Sequence, residues 1–231
     1  MFILYLVNNK IILPFMKTRI LIISFILFGF LGYSQSKEIY TNPNFTSLSK
    51  DHKILAIIPF KASVMLRPKQ IEKMGQDQFN KLQSDEGKSV QSALQTYFLN
   101  KREDKGFVVT FQDVAKTNAI LLKNNISNEN IDSFTSEELA KMLEVDGVVS
   151  GSLSTDKPMS DGASVALGLV VGFYGATNSG KCTININDGK TGELLWKYEK
   201  TLARSLGSDI NTIINAMMRK ASRQFPYITP E

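Results

Sequence analysis

Apolar and polar positions change their period several times along the chain, and each change marks an element. Residues 53–60 (KILAIIPF) form an unbroken apolar run rich in Ile and closed by Pro59, the pattern of a strand buried on both faces. Pro68 then precedes a long helical stretch in two parts. Ile71, Met74 and Leu82 share one stripe, and Val90, Ala93, Leu94, Tyr97 and Phe98 follow at i, i+3, i+4, i+7, i+8 spacing. Ser84, Asp85 and Gly87 predict an interruption between them. Gly106–Phe111 (GFVVTF) reads as the next strand, and Asp113 is placed to cap a helix to about Lys123. Thr135-Ser136-Glu137-Glu138 spells a capping box, in which hydroxyl and carboxylate each satisfy a free amide of the first turn. The helix it opens buries Leu139, Met142 and Leu143, ends at Asp146-Gly147, and leads into a strand at Val148–Leu153.

The last third has period two. Cys182–Asn187 alternates with Ile184 and Ile186 on one face, and Glu193–Thr201 alternates with Leu194, Trp196 and Tyr198 on one face. Asn187-Asp188-Gly189-Lys190-Thr191-Gly192 between them is a turn, so the pair reads as a hairpin. Ser208 caps a final helix with the stripe Ile210, Ile213, Ile214, Met217 and Ala221, stopped by Pro226. Helices between strands require a sheet that is parallel in part. The expected fold is therefore α/β: a mixed sheet with helices packed on it, a late antiparallel hairpin as an edge, and a C-terminal helix.

The first 34 residues have a separate logic. Met16 opens a better leader than Met1, because Lys17 and Arg19 supply a positive start and Ile20–Gly32 an apolar run of h-region length. Gly32-Tyr33-Ser34 places small residues at the cleavage positions. Residues 1–34 are thus expected to be a signal peptide, 35–52 an extended lead-in, and 53–227 one domain. No Cys lies near the cleavage site, so lipid attachment there is not available. The expected location is the periplasm or the outer-membrane periphery, without lipidation.

Charge changes its meaning once the leader is set apart. The 231 residues hold 27 basic and 22 acidic groups, but Lys10, Lys17 and Arg19 fall in residues 1–34, leaving 24 against 22. A net +2 argues for no nucleic-acid partner. One His and one Cys exclude a zinc site of the two-Cys, two-His kind and any nucleophile–His pair that does not use His52. His52, just before the first strand, has no partner visible in sequence and reads as a solvated strand-edge residue. Neither a catalytic residue, nor a metal, nor a cofactor is assigned. Gly175–Cys182 (GATNSGKC) nearly spells a phosphate-binding loop, but that chemistry needs a helix starting at the Lys, and the following residues alternate as a strand. No nucleotide is expected. Ser154–Lys157 with Lys190-Thr191-Gly192 lacks the helical spacing of a penicillin-binding serine site, and Trp196 reads as core.

Three segments carry a resemblance: ILAIIPF at 54–60, ELAKMLEVDGVVSGSL at 138–153 and NDGKTGELLWKYE at 187–199. In this order they resemble a group comprising the CsgG-type curli-assembly proteins, the amino-terminal domain of TolB and LpoB-like envelope lipoproteins, over roughly residues 53–225. The resemblance implies a non-enzymatic cell-envelope role through protein–protein contacts or oligomers.

The most unusual stretch is Ala163–Gly175 (ASVALGLVVGFYG). As a strand it sets Val165, Leu167, Leu169, Val171 and Phe173 on one face. As a helix, Ser164, Gly168 and Gly172 form a ridge that lets another backbone approach. Three placements are open: this domain's own core, a self-association or membrane-facing surface, and part of a pore. The function expected is that of an exported interaction or assembly factor contacting an envelope protein or itself, with possible outer-membrane contact. The alternatives are a membrane-associated oligomeric secretion component and an exported hydrolase. A cleft holding a perturbed carboxylate near His52 would favour the last.

Overall fold

The structure, a computed structural model, describes residues 39–156, 158, 180–202 and 210–228. Its strands are β1 (Ile39–Thr41), β2 (Ile54–Ile57), β3 (Lys61–Val64), β4 (Thr110–Phe111), β5 (Gly147–Thr155), β6 (Gly180–Asp188) and β7 (Leu194–Leu202). The helices are α1 (Phe45–Leu48), α2 (Pro68–Met74), α3 (Gln76–Lys105), α4 (Val114–Lys123), α5 (Ser136–Leu143) and α6 (Ile210–Ala221). The seven strands form one mixed sheet in the order β1-β7-β6-β5-β2-β4, with β3 beside β5. The pairs β2–β4, β2–β5 and β3–β5 are parallel, and the run β5-β6-β7-β1 is antiparallel. The mixed sheet with helices on it is the fold the periodicity predicts.

Four local expectations are revised. The hairpin β6–β7 is interior rather than an edge, because β1, from the stretch read as a lead-in, pairs with β7 through Ile39↔Tyr198 and Thr41↔Trp196. Helix α3 runs unbroken for 30 residues; the break lies at Gly75, where φ is +84°, and not at Ser84–Gly87. Gly87 serves a close approach instead: a Cβ there would stand 1.9 Å from the Phe60 carbonyl oxygen. Third, the strand predicted over 106–111 keeps ladder pairing only at Thr110 and Phe111, while Phe107 bridges to Ile228. Fourth, a register shift at Ile186/Asn187 takes Leu194 off the Trp196–Tyr198 face.

The sheet has two unlike faces. One is covered by α3 and α6, where Leu94, Phe98, Trp196, Tyr198 and Met217 are buried. Phe98 stacks on Phe111 at 4.1 Å between centroids, and the Trp196 indole N–H donates to the Gln224 carbonyl at 3.2 Å. Each such side chain contributes about 1.5–3 kcal/mol on burial. On the other face, α4 and α5 cover a smaller core around Ala56, Ile58, Leu143 and Val148. Both helix starts are capped as read: Asp113 accepts from the Ala115 and Lys116 amides, and Thr135 and Glu138 form the reciprocal box. Away from α4 and α5 the second face continues as half-buried or exposed polar residues, among them Ser150, Ser152, Thr183, Asn185, Lys197 and Glu199.

Helix α3 also closes one edge. The Phe60 N–H donates to the Gly87 carbonyl at 3.2 Å, and the Val64 N–H to Gln83 Oε1 at 3.2 Å. Amides of the β2–β3 strand that do not join β5 are thus occupied.

Candidate functional site

The chemistry-bearing groups brought together are His52, Asp188 and Tyr227, from three distant parts of the chain. His52 stands ahead of β2, where the Asp146 carboxylate accepts from the Lys53 and Ile54 amides at 2.7 and 2.8 Å. Asp188 ends β6 and organises the turn that follows. Its Oδ2 accepts from the Thr191 N–H at 2.6 Å, the Thr191 hydroxyl at 2.7 Å and the Lys190 N–H at 3.2 Å. Gly192 completes that turn with φ +73°, a conformation that side chains rarely adopt. Tyr227 follows α6 and packs edge-on to Phe45 of α1, with ring centroids 5.0 Å apart.

His52 joins the other two. Nε2 lies 2.8 Å from Asp188 Oδ1, and Nδ1 lies 2.7 Å from the Tyr227 hydroxyl. The His52 and Asp188 side chains are 6% and 3% exposed, so the histidine is a buried partner and not the solvated edge residue expected. Burial pushes the Asp188 carboxyl up, but the Thr191 hydroxyl, the Thr191 amide and His52 together outweigh it and hold it below its ordinary value. Burial, reinforced by the Asp188 and Asp146 carboxylates, pushes the Tyr227 phenol well above its ordinary value.

The cluster borders a cleft of about 630 Å³ that Lys50, Glu137, Lys141 and Lys190 also line. A shifted carboxylate beside His52 in a cleft is the arrangement that would favour a hydrolase. The direction of the shift and the partners speak differently. Asp188 is held as an anion by four donors it already has, both His52 ring nitrogens are occupied, and the group at the end of the chain of contacts is a buried phenol held protonated. An activated nucleophile must reach substrate and lose its proton to the base at working pH, and the Tyr227 phenol is 2% exposed and held protonated. The cluster instead ties the approach to β2, the β6–β7 turn and the segment after α6 to one another.

The remaining sequence candidates are dispersed. Val165, Leu167, Leu169, Val171 and Phe173 lie outside the described residues, as do Gly175–Ser179 and Ser208. Lys181 and Cys182 lie on β6, not at a helix start. The Lys181 ammonium pairs with Glu199 at 2.7 Å, and the buried Cys182 thiol is pushed up to about 12 by burial. The local geometry a phosphate loop needs at its Lys is therefore not present. Ser154 is on β5, and Trp196 is fully buried in the core. Among the described residues no group of three His, Cys, Asp or Glu side chains could hold a metal ion, and no helix is long and apolar enough to cross a membrane.

Sequence reasoning missed the His52 cluster because its partners lie 136 and 175 positions away. The one local signal was Asp188 in an Asn-Asp-Gly-Lys-Thr turn, which an Asp side chain commonly organises.

The described residues also fix where 156–179 departs. Thr155 and Gly180 are register partners on adjacent antiparallel strands. The two flanks of the segment holding the apolar run are therefore held side by side at that end of the ladder.

No family model matches this sequence. Protein RecA of Mycoplasma genitalium is 30% identical over 113 residues, which is 45% of this chain and 33% of that protein. The chain thus matches about a third of the length of this curated relative. Among solved structures, the chain is similar to lipoprotein GNA1162 from Neisseria meningitidis, with TM-score 0.40, 10% identity, and coverage of 74% of this chain and 95% of that one. It is similar to E. coli LpoB with TM-score 0.39, 9% identity, and coverage of 71% and 65%. The PelC dodecamer from Paraburkholderia phytofirmans gives TM-score 0.37, 13% identity, and coverage of 79% and 90%.

Proposed function

We propose that the protein is a non-catalytic, exported cell-envelope interaction or assembly factor that works through protein–protein contacts, in the manner of the LpoB-like group its segments resemble. Neither cofactor, nucleotide nor nucleic acid takes part. Val165, Leu167, Leu169, Val171 and Phe173 supply the contact surface toward an envelope protein or a second copy. The observation that carries this reading is the use of the single histidine. His52 is enclosed between Asp188 and Tyr227, so the group most suited to acid–base chemistry is committed to holding the chain together. The pairing of Thr155 with Gly180, which holds the two flanks of 156–179 together, supports the second half of the reading. A contact segment set there can change its partner without disturbing the ladder.

Cell fractionation combined with in vivo photo-crosslinking tests this, with a crosslinking residue placed at position 165, 169 or 173. The expected result is export and one discrete crosslinked species, lost on Leu169→Asp, with secretion of the variant unchanged. Retention of the wild type in the cytosol would overturn the reading. Ring-like oligomers in detergent that Leu169→Asp abolishes would replace it with the oligomeric secretion component. Hydrolysis of an envelope substrate, abolished by His52→Gln in a folded protein, would restore the enzyme.

A further inference from the structure

On the polar side of the sheet, against the start of α5, lies a pocket of about 350 Å³ that Ser136 and Leu139 of that helix help to line. That is near the lower limit for small-ligand pockets, roughly 300–1,000 Å³. Its floor is Ser150 and Ser152 of β5 and Asn185 of β6. Ile58, Pro59 and Phe134 form apolar walls, and Lys61 and Asp132 stand at its rim.

Three observations define the chemistry the pocket accepts. First, the polar groups the sheet presents to the pocket are hydroxyls and a carboxamide, and the Ser150, Ser152 and Asn185 side chains have no hydrogen-bond partner among the described residues. Such groups both donate and accept. Second, Lys61 and Asp132 are the charged residues of the lining, and they pair with each other. The pocket thus has no unpaired charge to offer an ion. Third, β5 is paired along its length with β6 on one side; on the other it pairs with β2 at Gly147–Val149 and with β3 at Ser152–Thr155, and β6 is paired with β7. The interruption between β2 and β3 leaves only Ser150 and Gly151 outside a ladder on that side, too short a stretch for a peptide to add as a strand, the mode that gives extended peptides most of their affinity. The polar floor likewise disfavours a lipid tail or the apolar stripe of a helix.

We propose that this pocket binds a neutral saccharide, a terminal or internal unit of a glycan. Sugar hydroxyls both donate and accept, matching Ser150, Ser152 and Asn185, while the C–H face of a pyranose ring matches Phe134, Pro59 and Ile58. The floor continues in register as Ser152↔Thr183↔Glu199 and Ser150↔Asn185↔Lys197, so further sugar units have a polar surface to lie along. The lining of the pocket includes none of residues 165–173.

The test is an NMR titration of the 15N-labelled full-length protein with maltotriose, cellotriose and triacetylchitotriose, each to 10 mM as a roughly chosen ceiling for a shallow site. The expected result is saturable shifts for at least one saccharide at the Ser150, Gly151, Ser152 and Asn185 amides, with the Trp196 indole signal unmoved. Phe134→Ala, and separately the double variant Ser150→Ala/Asn185→Ala, should each weaken binding by roughly tenfold. A capped Gly-Ser-Gly-Ser peptide should cause no shift. The proposal is overturned by the absence of saturable shifts with all three saccharides, by equal binding in the double variant, or by the peptide binding at these amides instead.

Discussion

The β5–β6 ladder runs from Gly147↔Asp188 to Thr155↔Gly180, and its two ends are built on opposite terms. At the first end the His52, Asp146, Asp188 and Tyr227 side chains are all committed. Asp188 accepts from His52, Lys190 and Thr191, Asp146 accepts from two amides at the start of β2, and Tyr227 meets His52. At the second end the chain departs for residues 156–179, and the buried Thr155 hydroxyl has no hydrogen-bond partner among the described residues. Two ends of one ladder thus divide the work. One fixes the fold by joining segments far apart in sequence, and the other leaves the sheet free to accept variation.

The largest effect that would break this contrast is loss of the Asp188 carboxylate. Asp188→Ala leaves His52 and the turn amides without their acceptor, and breaking a buried charged contact costs about 3–5 kcal/mol. Urea unfolding should show a loss of that size, and a loss under 1 kcal/mol would mean that the joined end is not a clamp. Replacing residues 157–178 by a short Gly-containing turn is expected to have the opposite sign. Because Thr155 and Gly180 already pair, shortening the connection should leave the protein folded and add about 1–2 kcal/mol through loop-closure entropy. Loss of cooperative unfolding in that variant would place 156–179 within the core.

Acid sharpens the comparison further. The Asp188 carboxyl is depressed in the folded protein, whereas the unfolded chain titrates it near ~3.9. Its contribution is therefore whole above about pH 4 and is lost as pH falls toward the lower, folded value. The stability gap between wild type and Asp188→Asn should narrow as pH falls below ~4, as read from unfolding midpoints at each pH. A gap that widens below about pH 4 would reverse the assigned sign. The smallest effect lies at the end of α5, where Glu144 holds φ +56°. Glu144→Gly relieves that conformation and should raise stability by about 0.5–1 kcal/mol in thermal unfolding.

Elements set by local chemistry were legible in the sequence. The Asp113 cap, the Thr135–Glu138 box, the Ile184–Ile186 alternation of β6 and the buried Ile214, Met217 and Ala221 of α6 each depend on neighbours within a few positions, and each is found where the pattern put it. What could not be read depends on distant partners. β1 is three residues long and exists because β7 offers it an edge. Gly87 looked like a helix breaker, yet it is the residue that allows α3 to reach Phe60. The cluster at His52 failed to show for the same reason: nothing near His52 in sequence distinguishes it. The pocket lined by Ser150, Ser152 and Asn185 was equally hidden, since alternation marks these positions only as the outward side of their strands.

Cys182 has a practical consequence of its own. Its side chain is fully enclosed by the sheet and the helices above it, and the thiol is driven to about 12. Reactivity belongs to the thiolate, so the native protein should behave toward maleimides and disulfide reagents as though it had no cysteine. A single cysteine introduced on either surface can then carry a fluorophore or spin label without background from position 182. Once the sheet opens, the same sulfur becomes an internal clock for unfolding.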